Sequence, residues 1–190
     1  MDLVLASASP RRAELLRAAG FSFEILPVHL DEHVRPGEKP REAVMRLAEA
    51  KAAAAAVLRR GAVVLGADTT VVIRGKPLGK PRDNEDAKRM LRLLSGRSHE
   101  VLTGICLCAD GRRLVHVEPT RVRMGPMSEA EIDWYVATGE PADKAGAYAI
   151  QGLAGRFIEA INGSYSNVVG IPIASLHSLL KELGYGILSS

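Results

Sequence analysis

The sequence predicts an α/β protein, and three observations carry that prediction. Short apolar runs typical of buried strands alternate with segments of helical periodicity, a pattern that packs helices against a shared sheet. The dipeptide Asp110-Gly111 lies between two strand-like runs and is a strong hairpin signal. A chain of 190 residues suffices for one medium-sized domain, or for two lobes that share a sheet. We therefore expect a single domain over residues 1–190.

The N-terminal segment predicts a strand at residues 3–6 that leads directly into a helix from Pro10 to about Ala19. Ser9 stands at the capping position, Pro10 suits the first turn, and Gly20 ends the helix. Small hydroxylated residues between strand and helix leave backbone N–H groups open at the helix start. Such a helix start is a favourable place for a phosphate.

Two arginines, Arg11 and Arg12, occupy the first turn of this helix, where positive charge opposes the helix dipole. They align at helical spacing with Leu15 and Leu16, so at least one of them should lie near the packed face. A bound polyanion would resolve both conflicts. The simpler alternative is a pair of solvated arginines on a surface helix.

A second strand is predicted at residues 21–28, followed by a polar loop and a long Ala-rich helix from Pro40 to about Arg60. The loop contains the adjacent acids Asp31 and Glu32, and such a pair is usually just solvated. The third predicted strand, residues 63–67, begins the stretch on which the rest of the chain is organised.

Lys51 falls within the apolar stripe of the long helix. A lysine at such a position can extend its aliphatic stem over apolar surface and keep its charge in water. An inward-facing lysine is equally a candidate contact for a phosphate. The stripe consists of Val44, Leu47, Ala48, Ala52 and Ala55.

Asp68 follows the buried run of the third strand, and a buried carboxylate needs a cation. The cation is either a metal ion or a basic side chain, and two Gly-Lys-Pro repeats place Lys76 and Lys80 just downstream. The alternative is a plain hairpin that turns at Arg74-Gly75, with both lysines solvated.

The remaining chain predicts a helix, a two-stranded hairpin, a second helix, two short strands and a final helix. Pro119 indicates that the second hairpin strand is an edge strand or is broken there. His99, next to a turn, receives no role. The predicted elements are a helix from about 83 to 94, strands at 99–109 and 112–124, a helix at 128–138, strands at 148–151 and 157–161, and a helix at 173–183.

Composition argues against several classes of protein. The net charge is only +3 and aromatic residues make up 4%, so neither a polybasic surface nor a series of stacking platforms for bases is present. No targeting signal or apolar membrane-spanning stretch is visible, which favours a cytoplasmic protein that binds neither nucleic acid nor membrane. Cys106 and Cys108 are expected to be reduced, because an extended strand does not easily join residues two apart.

The common nucleotide-binding and hydrolase motifs are missing. The sequence contains no GxGxxG, no GxxxxGK[ST], no GxSxG and no metal-binding Cys/His spacing. What remains is a hydroxyl-rich helix start with two arginines, scattered lysines and a few acids. Cations suit a polyphosphate, and carboxylates suit Mg²⁺, which prefers oxygen ligands and keeps several waters.

Six short segments, distributed over nearly the whole chain, carry a recognisable pattern. They are LASASPRR (5–12), GADT (66–69), GKPRD (79–83), LSGRSHEVLTG (94–104), DKAGAYAIQG (143–152) and INGSYSNVVGIP (161–172). In this order they resemble the Maf family of nucleoside triphosphate pyrophosphatases.

The resemblance implies a two-lobed α/β fold around a mixed, strongly twisted sheet, with the nucleotide in the cleft between the lobes. It also implies hydrolysis of a nucleoside triphosphate to the monophosphate and pyrophosphate with a divalent metal cation, Mg²⁺ or Mn²⁺. Glu32 and Asp68 are implied as the catalytic, metal-binding pair, with Asp68 as the usual proton acceptor. A homodimer is compatible with the resemblance. The implied substrate contacts are Ser7, Arg11, Arg12, Lys51, Lys80 and Gln151.

Three positions bear on the substrate: Arg11, Thr69 and Gln151 match the branch of the family that acts on dTTP and UTP. The branch that resembles 7-methyl-GTP pyrophosphatases tends to carry a bulky aromatic residue, Gln and Glu there. A neutral amide both donates to and accepts from a uracil or thymine edge, whereas a carboxylate only accepts. We therefore expect dTTP and UTP, with modified pyrimidine triphosphates, as substrates. The alternatives are a 7-methyl-GTP pyrophosphatase and a non-catalytic nucleotide-binding regulator of cell division.

Overall fold

A computed structural model describes residues 2–185 of the chain. The strands in this part are β1 (Leu3–Leu5), β2 (Glu24–Ile25), β3 (Val63–Ile73), β4 (Lys76–Leu78), β5 (Ser98–Ala109), β6 (Arg112–Met124) and β7 (Ile158–Asn162). The α-helices are α1 (Pro10–Ala18), α2 (Pro40–Leu58), α3 (Asn84–Leu94), α4 (Glu129–Ala137), α5 (Tyr165–Val169) and α6 (Ile173–Glu182). Short 3₁₀ helices span Glu140–Asp143, Ala145–Ala147 and Leu153–Phe157.

The strands form one seven-stranded mixed sheet, which confirms the predicted α/β class. The strand order is β2-β1-β3-β5-β6-β7, and β4 pairs with β3. β1 is parallel to β2 and to β3, whereas the β3–β4 and β6–β7 pairs are antiparallel. Over residues 2–185 no helix is long and apolar enough to cross a membrane.

The described chain divides into two compact units, and the four boundaries fall inside β3, β5 and β6 and directly after α5. The first unit comprises residues 2–68, 103–118 and 170–185, and the second comprises Thr69–Leu102 and Pro119–Val169. Each has its own apolar core: β1, β3 and β5 pack with α1, α2 and α6 in the first, and α3 packs with α4 in the second. The single domain over residues 1–190 stays a prediction.

Several predicted elements are confirmed with bounds that differ by one or two residues. The hairpin turns at Arg74-Gly75 and Asp110-Gly111 are both present, with positive φ at all four residues. The capping box of α4 is formed, since Ser128 Oγ accepts from the N–H of Glu131 and the Glu131 carboxylate accepts from the N–H of Ser128. A hairpin turn or a capping box depends on only a few adjacent residues, and the sequence alone therefore predicts it.

Other predictions were wrong in detail. The strand predicted at 21–28 is only Glu24–Ile25, because its partner β1 is three residues long. β6 runs unbroken through Pro119, so the predicted break is wrong. The alternative prediction of an edge holds at this position: pairing with β7 starts only at Arg121, and the missing proline N–H interrupts no bond of that ladder. Ser9 occupies the capping position of α1 without a capping bond from its side chain.

Two further differences lie near the C-terminal end of the second unit. The strand predicted at 148–151 is a turn, closed by a hydrogen bond from the N–H of Gly152 to the carbonyl of Ala149. Tyr148 is buried in the apolar core of the second unit, and its hydroxyl lies 2.7 Å from Nε2 of His99. The short helix Tyr165–Val169 was not predicted.

Candidate active site

Helix α2 and strand β3 approach closely because Gly66 has no side chain. A Cβ atom at Gly66 would lie 2.2 Å from the carbonyl oxygen of Ala48 and 2.6 Å from the backbone nitrogen of Ala52. Lys51 lies on the same stripe of α2, and Asp68 projects from the same face of β3 as Gly66 because the two are two residues apart. The backbone contact therefore brings Lys51 and Asp68 together.

Lys51 joins two carboxylates. Its Nζ lies 2.8 Å from Oδ1 of Asp68 and 2.6 Å from Oε1 of Glu32. The side chains of Lys51 and Asp68 are 8% and 14% exposed, whereas that of Glu32 is 50% exposed. The lysine predicted to face inward is therefore buried, and it is the cation that the strand-end carboxylate requires.

The loop that carries Glu32 is tied to α2 by Arg46, five residues before Lys51. Arg46 donates from Nε and Nη2 to the carboxylate of Glu38 at 2.6 and 2.8 Å, and from Nη2 to the carbonyl of His33 at 3.1 Å. The hydrogen bonds from Arg46 hold the pKa of Glu38 at about 2. Sequence reasoning missed both residues, because an arginine and a glutamate eight positions apart form no local pattern.

Arg12 links the start of α1 to the end of the buried part of β3. It donates from Nη1 to Ser7 Oγ and to the carbonyl of Ala67, both at 3.0 Å, and from Nε to the carbonyl of Gly170 at 3.1 Å. Burial lowers the pKa of Arg12, while the negative charges of Asp68 and Glu32 act in the opposite direction. The guanidinium thus belongs to the same electrostatic environment as the two acids.

Ser7 and Arg11 complete the group in the first unit. Ser7 is buried, and its hydroxyl also accepts from the backbone N–H of Ser9 at 3.3 Å, which shapes the turn into α1. Arg11 is partly buried in the first turn, and its charge is close enough to contribute to the lowered pKa of Arg12. The prediction that at least one arginine lies near the packed face is confirmed.

The other three predicted site residues belong to the second unit. Thr69 is partly buried in β3 directly after Asp68 and projects to the opposite face of the strand. Lys80 is exposed in the loop between β4 and α3, where the carbonyl of Gly79 accepts from the N–H of Gly146 at 3.0 Å. Gln151 is exposed in the turn before the 3₁₀ helix Leu153–Phe157.

Glu140 anchors the turn that presents Gln151. Its carboxylate accepts from the backbone N–H groups of Leu153 at 2.9 Å and Ala154 at 3.4 Å, and from the hydroxyl of Tyr135 at 2.7 Å. Burial and the bond to Glu140 raise the pKa of Tyr135. Sequence reasoning gave Glu140 no role, since its partners lie thirteen and fourteen residues away.

The acidic pair fits a divalent cation. Glu32 and Asp68 each place an oxygen within 2.8 Å of one ammonium nitrogen, so the two carboxylates already converge on a single positive charge. Over the described residues no group of three or more His, Cys, Asp or Glu side chains is arranged to hold a metal ion. Two carboxylates together with substrate phosphates and water are the usual ligands of Mg²⁺.

An α/β protein that places two arginines, a lysine and two convergent carboxylates near the middle of one strand can bind a phosphorylated substrate and offset its charge. Nearly the whole chain matches one family model. That model, described as Maf-like protein, covers residues 2–183. The chain therefore belongs to the Maf family.

Individual relatives agree with this family. A protein of Anaeromyxobacter dehalogenans named dTTP/UTP pyrophosphatase is 54% identical over 187 residues, covering 96% of this chain and 94% of its own. One of Symbiobacterium thermophilum with the same name is 52% identical over 186 residues, covering 98% and 96%.

Solved structures share the fold at low sequence identity. A HAM1 protein from Coxiella burnetii has a TM-score of 0.53 at 18% identity, covering 96% of this chain and 99% of its own. The Staphylococcus aureus Ham1 protein has a TM-score of 0.51 at 14% identity, covering 96% and 100%. At these identities the similarity concerns the fold alone.

Proposed function

We propose that the protein hydrolyses dTTP and UTP, and modified pyrimidine triphosphates, to the monophosphate and pyrophosphate. Family membership and two relatives of at least 52% identity that are named dTTP/UTP pyrophosphatase support the activity. The observation that carries the chemistry is the convergence of Asp68 and Glu32 on Lys51, within the electrostatic reach of Arg12.

Attack at the α-phosphorus needs a water molecule that loses its proton and a triphosphate whose charge is offset. In this proposal Asp68 accepts that proton: Lys51 holds its carboxylate in place, and the carboxylate lies in the same electrostatic environment as Arg12. Lys51 donates to the phosphates through the N–H that is not directed at Asp68 or Glu32. Arg11 and Arg12 bind the phosphates from the start of α1, where Ser7 orients Arg12.

A divalent cation, Mg²⁺ or Mn²⁺, would be held by Glu32 and Asp68 together with the triphosphate. When bound, it offsets phosphate charge and makes coordinated water a better nucleophile. The exposure of Glu32 and the position of Lys51 between the acids suit a site that is completed by substrate.

The second unit supplies the base contact in this proposal. Gln151 pairs with the uracil or thymine edge through its amide, and Glu140 holds the turn that carries it. Lys80 binds the phosphates, and Thr69 contributes to selectivity. We place the protein in the cytoplasm, the compartment that two reduced cysteines favour. A homodimer stays a prediction.

Incubation of the full chain with dTTP, UTP or 7-methyl-GTP tests the activity. We expect equimolar monophosphate and pyrophosphate from dTTP and UTP with Mg²⁺, and loss of turnover on chelation. If the protein is instead a non-catalytic regulator, it should bind the nucleotide without releasing pyrophosphate. If it is a 7-methyl-GTP pyrophosphatase, it should hydrolyse 7-methyl-GTP in preference to dTTP and UTP.

A further inference from the structure

The two cysteines of the sequence lie side by side on β5, outside the residues assigned to the proposed reaction. Gly104 is on the same face of β5, and a Cβ atom there would lie 2.4 Å from the carbonyl of Val44 in α2. Cys106 and Cys108, two and four residues further on, therefore face α2 as well. Cys106 is fully buried in the apolar cluster around Ala52, whereas Cys108 is partly exposed.

The two sulfur atoms are 3.8 Å apart and share a hydrogen bond. At this distance they are in van der Waals contact. Two residues of strand span about 6.6 Å between Cα atoms, which is near the upper end of the range that disulfides bridge. The extended backbone disfavours a relaxed disulfide, as the sequence predicts, but the side chains already bring the sulfurs together.

The surroundings of the two thiols shift their pKa values in opposite directions. The hydrogen bond from Cys106 lowers the pKa of Cys108, with help from the positive charge of Arg113 and against the effects of burial and of Glu49. The same hydrogen bond, followed by burial, raises the pKa of Cys106. Arg113 is held in place by Glu49 of α2, whose carboxylate lies 3.1 Å from its Nη1. A partly exposed thiolate beside an arginine is the environment of a reactive cysteine.

We propose that Cys108 is an oxidation-sensitive nucleophile and that Cys106 resolves it, so that the pair forms a reversible disulfide within β5. The Cys108 thiolate attacks one oxygen of a hydroperoxide, the O–O bond breaks, and hydroxide or alkoxide leaves. Cys108 is then a sulfenic acid. The sulfur of Cys106 loses its proton and attacks the Cys108 sulfur, and water leaves. Two thiols thus give two electrons to the peroxide, and an external dithiol restores them.

Hydrogen peroxide added to the full chain at pH 7 tests the proposal. We expect both thiols to disappear together, the intact mass to fall by two hydrogen atoms without formation of dimers, and dithiothreitol to restore both thiols. Cys106→Ser should stop at a sulfenic acid on Cys108 that dimedone traps. Cys108→Ser should keep its remaining thiol at least roughly tenfold longer, because that thiol is buried and protonated.

Arg113 provides a matched pair of variants. Arg113→Lys keeps a cation near Cys108 and should oxidise at nearly the wild-type rate, whereas Arg113→Ala should be slower by roughly threefold or more. Alkylation of the wild-type chain by iodoacetamide, followed against pH, gives a readout that needs no variant. A midpoint at least about one pH unit below the ordinary cysteine value supports the reactive thiolate.

Three results would overturn the proposal. The first is an alkylation midpoint at the ordinary cysteine value of about 8.5. The second is a wild-type chain that keeps both thiols, or that loses them only by adding oxygen or by forming dimers. The third is equal oxidation rates for the folded Cys106→Ser and Cys108→Ser variants.

Discussion

Lys51 Nζ lies 2.8 Å from Oδ1 of Asp68, and this ion pair joins the middle of α2 to the partly buried middle of β3. The backbone contact at Gly66 sets the distance between the two elements. Asp68 is therefore held in a fixed position by a cation that a triphosphate also attracts.

Asp68→Asn keeps the size of the side chain but removes the charge that accepts a proton or holds a metal ion. We expect kcat/KM for dTTP to fall by a factor on the order of 10² or more. The matched control is Asp133→Asn, which breaks the Lys88–Asp133 pair, an exposed lysine–aspartate bridge of 2.7 Å. If Asp68→Asn retained its fold and near wild-type turnover, Asp68 would be structural and Glu32 the leading base.

Lys51→Ala should weaken triphosphate binding without melting α2, because alanine is the better helix former. The expected result is a kcat/KM lower by roughly tenfold or more and a nearly unchanged Tm. Lys88→Ala is the control, since Lys88 also lies near two carboxylates, those of Glu85 and Asp133. A large drop in Tm with unchanged kinetics would identify Lys51 as a lysine that serves packing alone.

Glu140→Gln tests whether the anchor of the Gln151 turn acts on substrate selection. A neutral amide is a weaker acceptor for the N–H groups of Leu153 and Ala154, so we expect KM for dTTP to rise more than kcat falls. Glu159→Gln, which breaks an exposed pair with Arg123, is the control. Lower stability without any change in KM would confine Glu140 to a structural role.

His99 should make stability depend on pH. Burial lowers the pKa of its imidazole from 6.5 to about 4. The unfolded chain therefore binds the extra proton first, and the free energy of unfolding should decrease as the pH falls from about 6.5 to 4, by about 3 kcal/mol at most. Urea titrations of wild type and His99→Gln across this range check the contribution. Equal slopes for both proteins would contradict it.

The parts of the fold that the sequence predicts are those with local causes. Capping boxes, glycine-terminated helices and the Asp110-Gly111 turn depend on a few adjacent residues. The strand predicted at 148–151 is a turn instead, and Tyr148 at its start contacts His99, 49 positions away. Periodicity cannot reveal such a partner.

The residues of the candidate active site also fall into two groups: those with a local sequence signal and those whose role depends on the folded chain. The inward position of Lys51 follows from helical spacing, and that of Asp68 from its place at the end of an apolar strand. Glu32 reaches Lys51 from a loop that Arg46 ties to α2, and these contacts exist only in the folded chain. Without the family resemblance, Glu32 reads as one of two solvated loop acids.

The most direct test of the proposed function is the kcat/KM of the purified full chain for dTTP, UTP, CTP, GTP and 7-methyl-GTP, measured by pyrophosphate release, for wild type and Gln151→Glu. We expect dTTP and UTP to have the highest values in the wild type, and Gln151→Glu to lose that preference. No pyrophosphate from any nucleotide would contradict the enzymatic activity. A wild-type preference for 7-methyl-GTP, or unchanged selectivity in Gln151→Glu, would contradict the pyrimidine assignment.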